Sequence, residues 1–134
     1  MKNFVFDPKR NLLIVKKGSL VQKHLKFPEK IIVGMYSNFW GNIEAKEIIL
    51  GKDCYIGGAI VCEKVIVGAY TKFNKIHAKN VVLLSRCKGN FVEGIDVKVY
   101  QGSVINKVVA ENVTFLGSSK VKKLVANKKT VLKL

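Results

Sequence analysis

The sequence predicts an all-β chain wound into a single-stranded β-solenoid of about six coils, each 16–17 residues long. Two observations predict it. A small residue returns at nearly constant spacing, and apolar columns keep a fixed offset from that residue. A third observation, opposite charges alternating down the outward columns, checks the register independently.

The repeat emerges when the segments starting at Ile43, Ile60, Ile76, Val92, Val108 and Leu124 are written beneath one another. The small residue is Ala45, Cys62, Ala78, Gly94, Ala110 and Ala126, so successive spacings are 17, 16, 16, 16 and 16. Three positions later stand Ile48, Val65, Val81, Val97, Val113 and then Lys129, and five positions later Leu50, Val67, Leu83, Val99, Phe115 and Val131. Alternate residues of a strand share a face, so the +3 and +5 columns point together into a core. Their β-branched and large apolar side chains suit stacked strands. They recur at alternate positions and lack the 3.6-residue period of a helix. The small residue suits a tight corner. One coil buries almost nothing alone, whereas stacked coils share a continuous core. At about 4.8 Å per coil, six coils would span on the order of 25–30 Å.

Taken in order, residues 1–27 fit the repeat poorly and are expected to form an N-terminal cap or flexible segment, with Asn11–Val15 as one strand. The solenoid domain is expected over residues 28–134, opening with a weaker coil at Pro28–Gly34. Through the regular coils the outward columns read Lys46, Glu63, Lys79 and Glu47, Lys64, which stacking would bring side by side. Each such exposed pair contributes roughly 0.2–1 kcal/mol. The outward +4 column is apolar at Ile49, Ile66 and Val82 and polar from Lys98 onward. An exposed apolar stripe favours a cover, and the N-terminal strand is the nearest candidate. The last coil carries Lys120, Lys122, Lys123, Lys128, Lys129 and Lys133, and ends in strand-like sequence with no capping helix.

Lys+Arg 24 against Asp+Glu 9 gives a net charge of +15. Such an excess favours nucleic acid, anionic lipid or acidic protein surfaces as partners, although solvated lysine faces are also common. Cys54, Cys62 and Cys87 show no Cys-x-x-Cys pairing, and His24 and His77 lie far apart, which is poor material for a metal site. Cys62 takes the corner column as a small apolar group. An odd cysteine number and no apolar leader-like run point to a reducing, cytoplasmic setting. A passing match to acyltransferase hexapeptide repeats at Leu50–Gly58 would need 18 residues per coil and a sustained register. His77 sits in an outward column with no expected carboxylate partner to orient it. No catalytic residue, cofactor, metal or small-molecule substrate is expected. The left-handed β-helix acyltransferase is kept as the least favoured alternative.

The stacked Val/Ile columns and their spacing, over roughly residues 28–134, make the chain resemble the bactofilins, small polymer-forming cytoskeletal proteins of prokaryotes. The resemblance implies right-handed winding and end-to-end assembly into filaments without nucleotide. It also implies attachment of some members to membranes by a short N-terminal peptide. A net charge of +15 departs from that family's usual pattern.

Independently of the resemblance, a solenoid without a cap leaves open strand edges that accept another chain, while edge lysines oppose such pairing. The expected function is therefore a self-associating structural scaffold. Its association surfaces are expected at the end coils, carried by Val121, Leu124, Val131, Leu132 and Leu134 at one end and Leu13, Val15 and Ile32 at the other. Phe4, Val5, Phe6, Lys9 and Arg10 pair apolar with basic residues and form a minimal membrane anchor, with an ordinary capping strand as the competing reading. Binding to nucleic acid or an anionic membrane surface is the alternative function.

Overall fold

The structure is a computed structural model and describes residues 3–133. It is an all-β solenoid of about eight turns, two more than the recognised repeats supply. A short strand, β1 (Phe4–Asp7), precedes the winding. The first turn holds β2 (Leu12–Val15), β3 (Leu20–Val21) and β4 (Leu25–Lys26), and the second β5 (Lys30–Val33), β6 (Asn38–Phe39) and β7 (Ile43–Glu44). The third holds β8 (Glu47–Leu50) and β9 (Tyr55–Val61), and the fourth β10 (Lys64–Val67) and β11 (Lys72–His77). From there β12 (Asn80–Leu83) leads into three long strands, β13 (Lys88–Tyr100), β14 (Val104–Leu116) and β15 (Lys120–Leu132).

Every turn-to-turn pairing is parallel, and all but that of β9 with β11 keep an unbroken register. The +3 column runs Leu13, Ile31, Ile48, Val65, Val81, Val97, Val113, Lys129. These residue numbers advance by 18, then 17, 17 and 16, so the coils shorten along the chain. The early turns break into three short strands, one per face, whereas β13, β14 and β15 pass round all three faces unbroken. The extra residue is absorbed where a register shift separates Phe73 from Lys75 opposite Gly57-Gly58. Residues 12–27, whose sequence matches the repeat poorly, form a complete turn paired to the next one on each face. Their coil is longer than the rest, which hides it from a 16–17-residue search.

Two inward columns complete the core. One runs Val21, Phe39, Ile56, Phe73, Gly89, Ile105 and Val121. The other is a line of small hydroxyls and thiols at one corner: Ser19, Ser37, Cys54, Thr71, Cys87, Ser103 and Ser119. Each hydroxyl sits where a sharp corner would otherwise strand backbone groups in an apolar interior. The Cys87 N–H donates to Ser103 Oγ at 3.2 Å, and Ser103 Oγ donates to the Leu84 carbonyl at 3.4 Å. Ser37 Oγ donates to the Gly34 carbonyl at 2.8 Å while accepting from the Ser19 N–H. The chain reaches this corner through a left-handed residue immediately before it, at Gly18, Tyr36, Asp53, Tyr70, Arg86 and Gly102. A left-handed non-glycine residue costs roughly 1–2 kcal/mol, and the hydrogen-bonded corner holds it in place. Among the described residues no buried side-chain nitrogen or oxygen lacks a partner.

β1 does not lie over the apolar +4 stripe, as the sequence suggested. It folds back antiparallel beside β2, pairing Phe4 with Val15 and Val5 with Ile14. An open strand edge offers β1 a ladder of backbone hydrogen bonds, which the outward face of side chains cannot. Val5 therefore lengthens the stripe, which continues through Ile14, Ile32, Ile49, Ile66 and Val82. Among the described residues no helix is long and apolar enough to cross a membrane.

Candidate functional site: the open end coil

The two ends of the stack differ. At the N-terminal end β1 closes one face, and Phe4 tucks part-buried against the core. Phe6 packs edge-on against Phe27, with ring centroids 5.8 Å apart. Asp7 accepts the backbone N–H groups of Lys9 and Arg10 at 3.1 and 3.3 Å, and Arg10 Nε lies 3.8 Å from its carboxylate. The residues read as an anchor thus build a tight hairpin that caps the stack. Val5 and Phe6 still present much of their surface to solvent.

Among the described residues β15 pairs only with β14, which leaves its other edge open on all three faces. The inward ring of this last coil is uncovered. Val121 and Leu124 are half-buried, Val131 is 56% exposed, and together with Phe115 and Lys129 they bound a hollow of about 340 Å³. Lys129 occupies the column that holds Val113 one turn earlier, and its Nζ lies 5.7 Å from the centre of the Phe115 ring. A cation over an aromatic face is attracted by the ring quadrupole. Lys129 thereby keeps a charge at the end of a core that would otherwise finish in a wholly apolar ring.

The structure divides the predicted association residues. Val121, Leu124 and Val131 meet at the open end, and Leu132 lies beside them on the outer corner, 48% exposed. Leu134 lies outside the described residues. At the other end Val15 is fully buried beneath β1 and cannot touch a partner, which corrects its assignment. Leu13 packs part-buried against the core, and Ile32 belongs to the outward stripe on the side of the stack. Sequence reasoning missed the hydroxyl–thiol corner and the Phe73–Gly89 column, because their offset from the small-residue column changes by one residue along the chain.

His77 also differs from expectation: its Nδ1 lies 3.1 Å from Glu93 Oε1. The one-turn register brings the two together, and both are open to solvent on a strand face. Phe91 leans on the imidazole at 5.6 Å between centroids. The outward ion pairs that form are Lys79–Glu63 at 3.8 Å, Lys30–Glu47 at 3.4 Å and Lys26–Glu44 at 3.0 Å. The three cysteines are free, and burial pushes the Cys62 thiol up to about 12 and that of Cys87 up to about 11. Buried neutral thiols are poor nucleophiles. Among the described residues no cluster of His, Cys, Asp and Glu side chains gathers in metal-holding geometry. No protein family, curated protein or solved structure matches this chain.

Proposed function

We propose that this chain is a non-enzymatic structural scaffold, a cytoplasmic rod that lengthens by pairing end to end with a second copy, in the manner its resemblance to bactofilins implies. The observation that carries this role is the open β15 edge, 13 residues long, lying over an uncovered apolar ring of Val121, Leu124 and Val131. An edge of that length with a core behind it is a template for strand addition. The other end presents β1, which runs antiparallel to the stack and obstructs the addition of a parallel strand on its face. The favoured contact is therefore tail to tail, about a twofold axis, with β15 against β15. A twofold contact uses one self-complementary patch and closes at a dimer. The four-residue outer edge of β1 supplies the second contact that a filament requires.

Lysines set the conditions. Lys120, Lys122, Lys123, Lys128 and Lys129 lie on β15, and no acid occurs after Glu111. Tail-to-tail pairing crowds like charges, whose repulsion is screened beyond about 10 Å at 0.1 M salt. Pairing accordingly strengthens as salt rises. Electron microscopy of the purified protein tests the role. Single rods of about 35–40 Å should give way to rods of about twice that length, or to filaments, at high salt. Single rods at high concentration and high salt would exclude it.

A further inference from the structure

The lysines are not spread evenly over the surface. Where each turn passes from its second to its third face, the stacked segments are Lys72–Lys75, Lys88–Phe91, Val104–Lys107 and Lys120–Lys123, and none contains a carboxylate. Lys72, Lys88 and Lys120 line one side of this corner, with Val104 between them, while Lys75, Lys107 and Lys123 line the other around Phe91. Between the two rows runs a chain of amides. Asn90 Nδ2 donates to Asn74 Oδ1 at 3.0 Å, and Asn106 Nδ2 donates to Asn90 Oδ1 at 2.9 Å. Each such amide keeps a second N–H and a second oxygen lone pair for another partner. A hollow of about 240 Å³ opens at this corner between Lys72, Lys88, Asn90 and Asn106. The nearest carboxylate in sequence, Glu93, is turned to His77.

From this arrangement we infer that the amide row and its flanking lysines form a track for single-stranded nucleic acid, running along the side of the stack and reaching the association coil only at Lys120 and Lys123. The charge is complementary to a phosphate backbone, and it is arranged as a line along the stack. The amides at its centre offer hydrogen bonds to base edges and sugars. Half-buried Phe91, between Lys75 and Lys107, and exposed Tyr55, one turn before Lys72, offer ring surface on which bases stack. An anionic membrane surface fits less well, because binding in the interface needs apolar side chains that sink between the lysines. Here amides hold that place, and the exposed Phe6 and Val5 lie at the capped end. Four stacked segments span about 15–20 Å, enough for roughly three or four nucleotides.

The test is fluorescence anisotropy with a labelled 12-nucleotide oligothymidine across 50–300 mM salt. The intact protein should bind with a log–log salt slope of about −2 to −3, as three or four neutralised phosphates require on a single strand. Lys75→Glu, Lys88→Glu and Lys107→Glu together should weaken binding at least ~10-fold more than Lys46→Glu, Lys64→Glu and Lys98→Glu, which make the same charge change elsewhere. The three corresponding Lys→Gln changes carry the same comparison should the first set unfold. Equal weakening by both sets would overturn the track, since total charge alone would then account for binding. Absence of oligonucleotide binding, with retention on phosphatidylserine vesicles, would overturn it in favour of a membrane surface.

Discussion

The ring of Phe73 lies beneath Gly89, in the turn that follows, and fills the space a side chain at that position would need. The two residues share one inward column, so the volume missing from one coil is supplied by its neighbour. Close-packed interiors tolerate an exchange of volume much better than its addition. Gly89→Ala should therefore cost about 1–3 kcal/mol in urea unfolding. In a Phe73→Val background the same change should cost at least ~0.5 kcal/mol less. An equal cost in both backgrounds would mean that the two positions do not share this space.

The alternation of strand faces gives a sharper contrast between neighbours. Val97 is 1% exposed in the middle of the stack, and Lys98 beside it faces solvent. Val97→Asp should destabilise by about 3 kcal/mol or more, because an unpaired polar group enters an apolar core. Lys98→Asp should stay within about 0.5 kcal/mol of the parent. Chemical denaturation followed by circular dichroism measures both.

Alkaline pH should select against the buried thiols. Burial raises the Cys87 thiol to about 11 from an ordinary value of 9.0, so unfolding releases a group that ionises more readily. Its contribution to stability is complete below pH 9 and is lost as pH rises from 9 towards 11, on the order of 3 kcal/mol. Cys87→Ser should remove that loss. The hydroxyl suits a column already served by Ser37, Thr71 and Ser103, and it can donate to the Gly68 carbonyl, which Cys87 Sγ approaches at 3.3 Å. Unfolding free energies of parent and variant, compared from pH 7 to 10.5, should diverge in favour of the variant. A constant difference would show that the thiol does not titrate as its burial requires.

The solenoid was legible because three of its columns keep a fixed offset from one small residue. What lay hidden drifted out of phase with that residue. The Ser–Cys–Thr corner stands eight residues before Ala45 and Cys62 and seven before Ala78 and Ala110, because the register shift near Asn74 drops one residue. The first turn escaped for the same reason, its 18-residue step lying outside the period of the others. The position of β1 was not legible, since its choice between a strand edge and an apolar stripe depends on backbone groups that no side-chain pattern records. Within the candidate site, Leu124 and Val131 follow from the repeat, whereas Val121 ends the drifting column of Phe73 and Gly89. The burial of Val15 follows from β1. The lysine–asparagine track becomes visible only when residues 16 apart are placed side by side.

Sedimentation velocity across protein concentration, at 50 mM and 500 mM salt, tests the end-to-end scaffold most directly. The parent protein should pass from monomer to dimer or longer species as salt rises. A chain carrying Val121→Lys and Val131→Lys, which places charge in the open ring at the end of the stack, should remain monomeric at both salts. A parent that sediments as a monomer throughout, or a variant that associates as the parent does, would contradict the proposal.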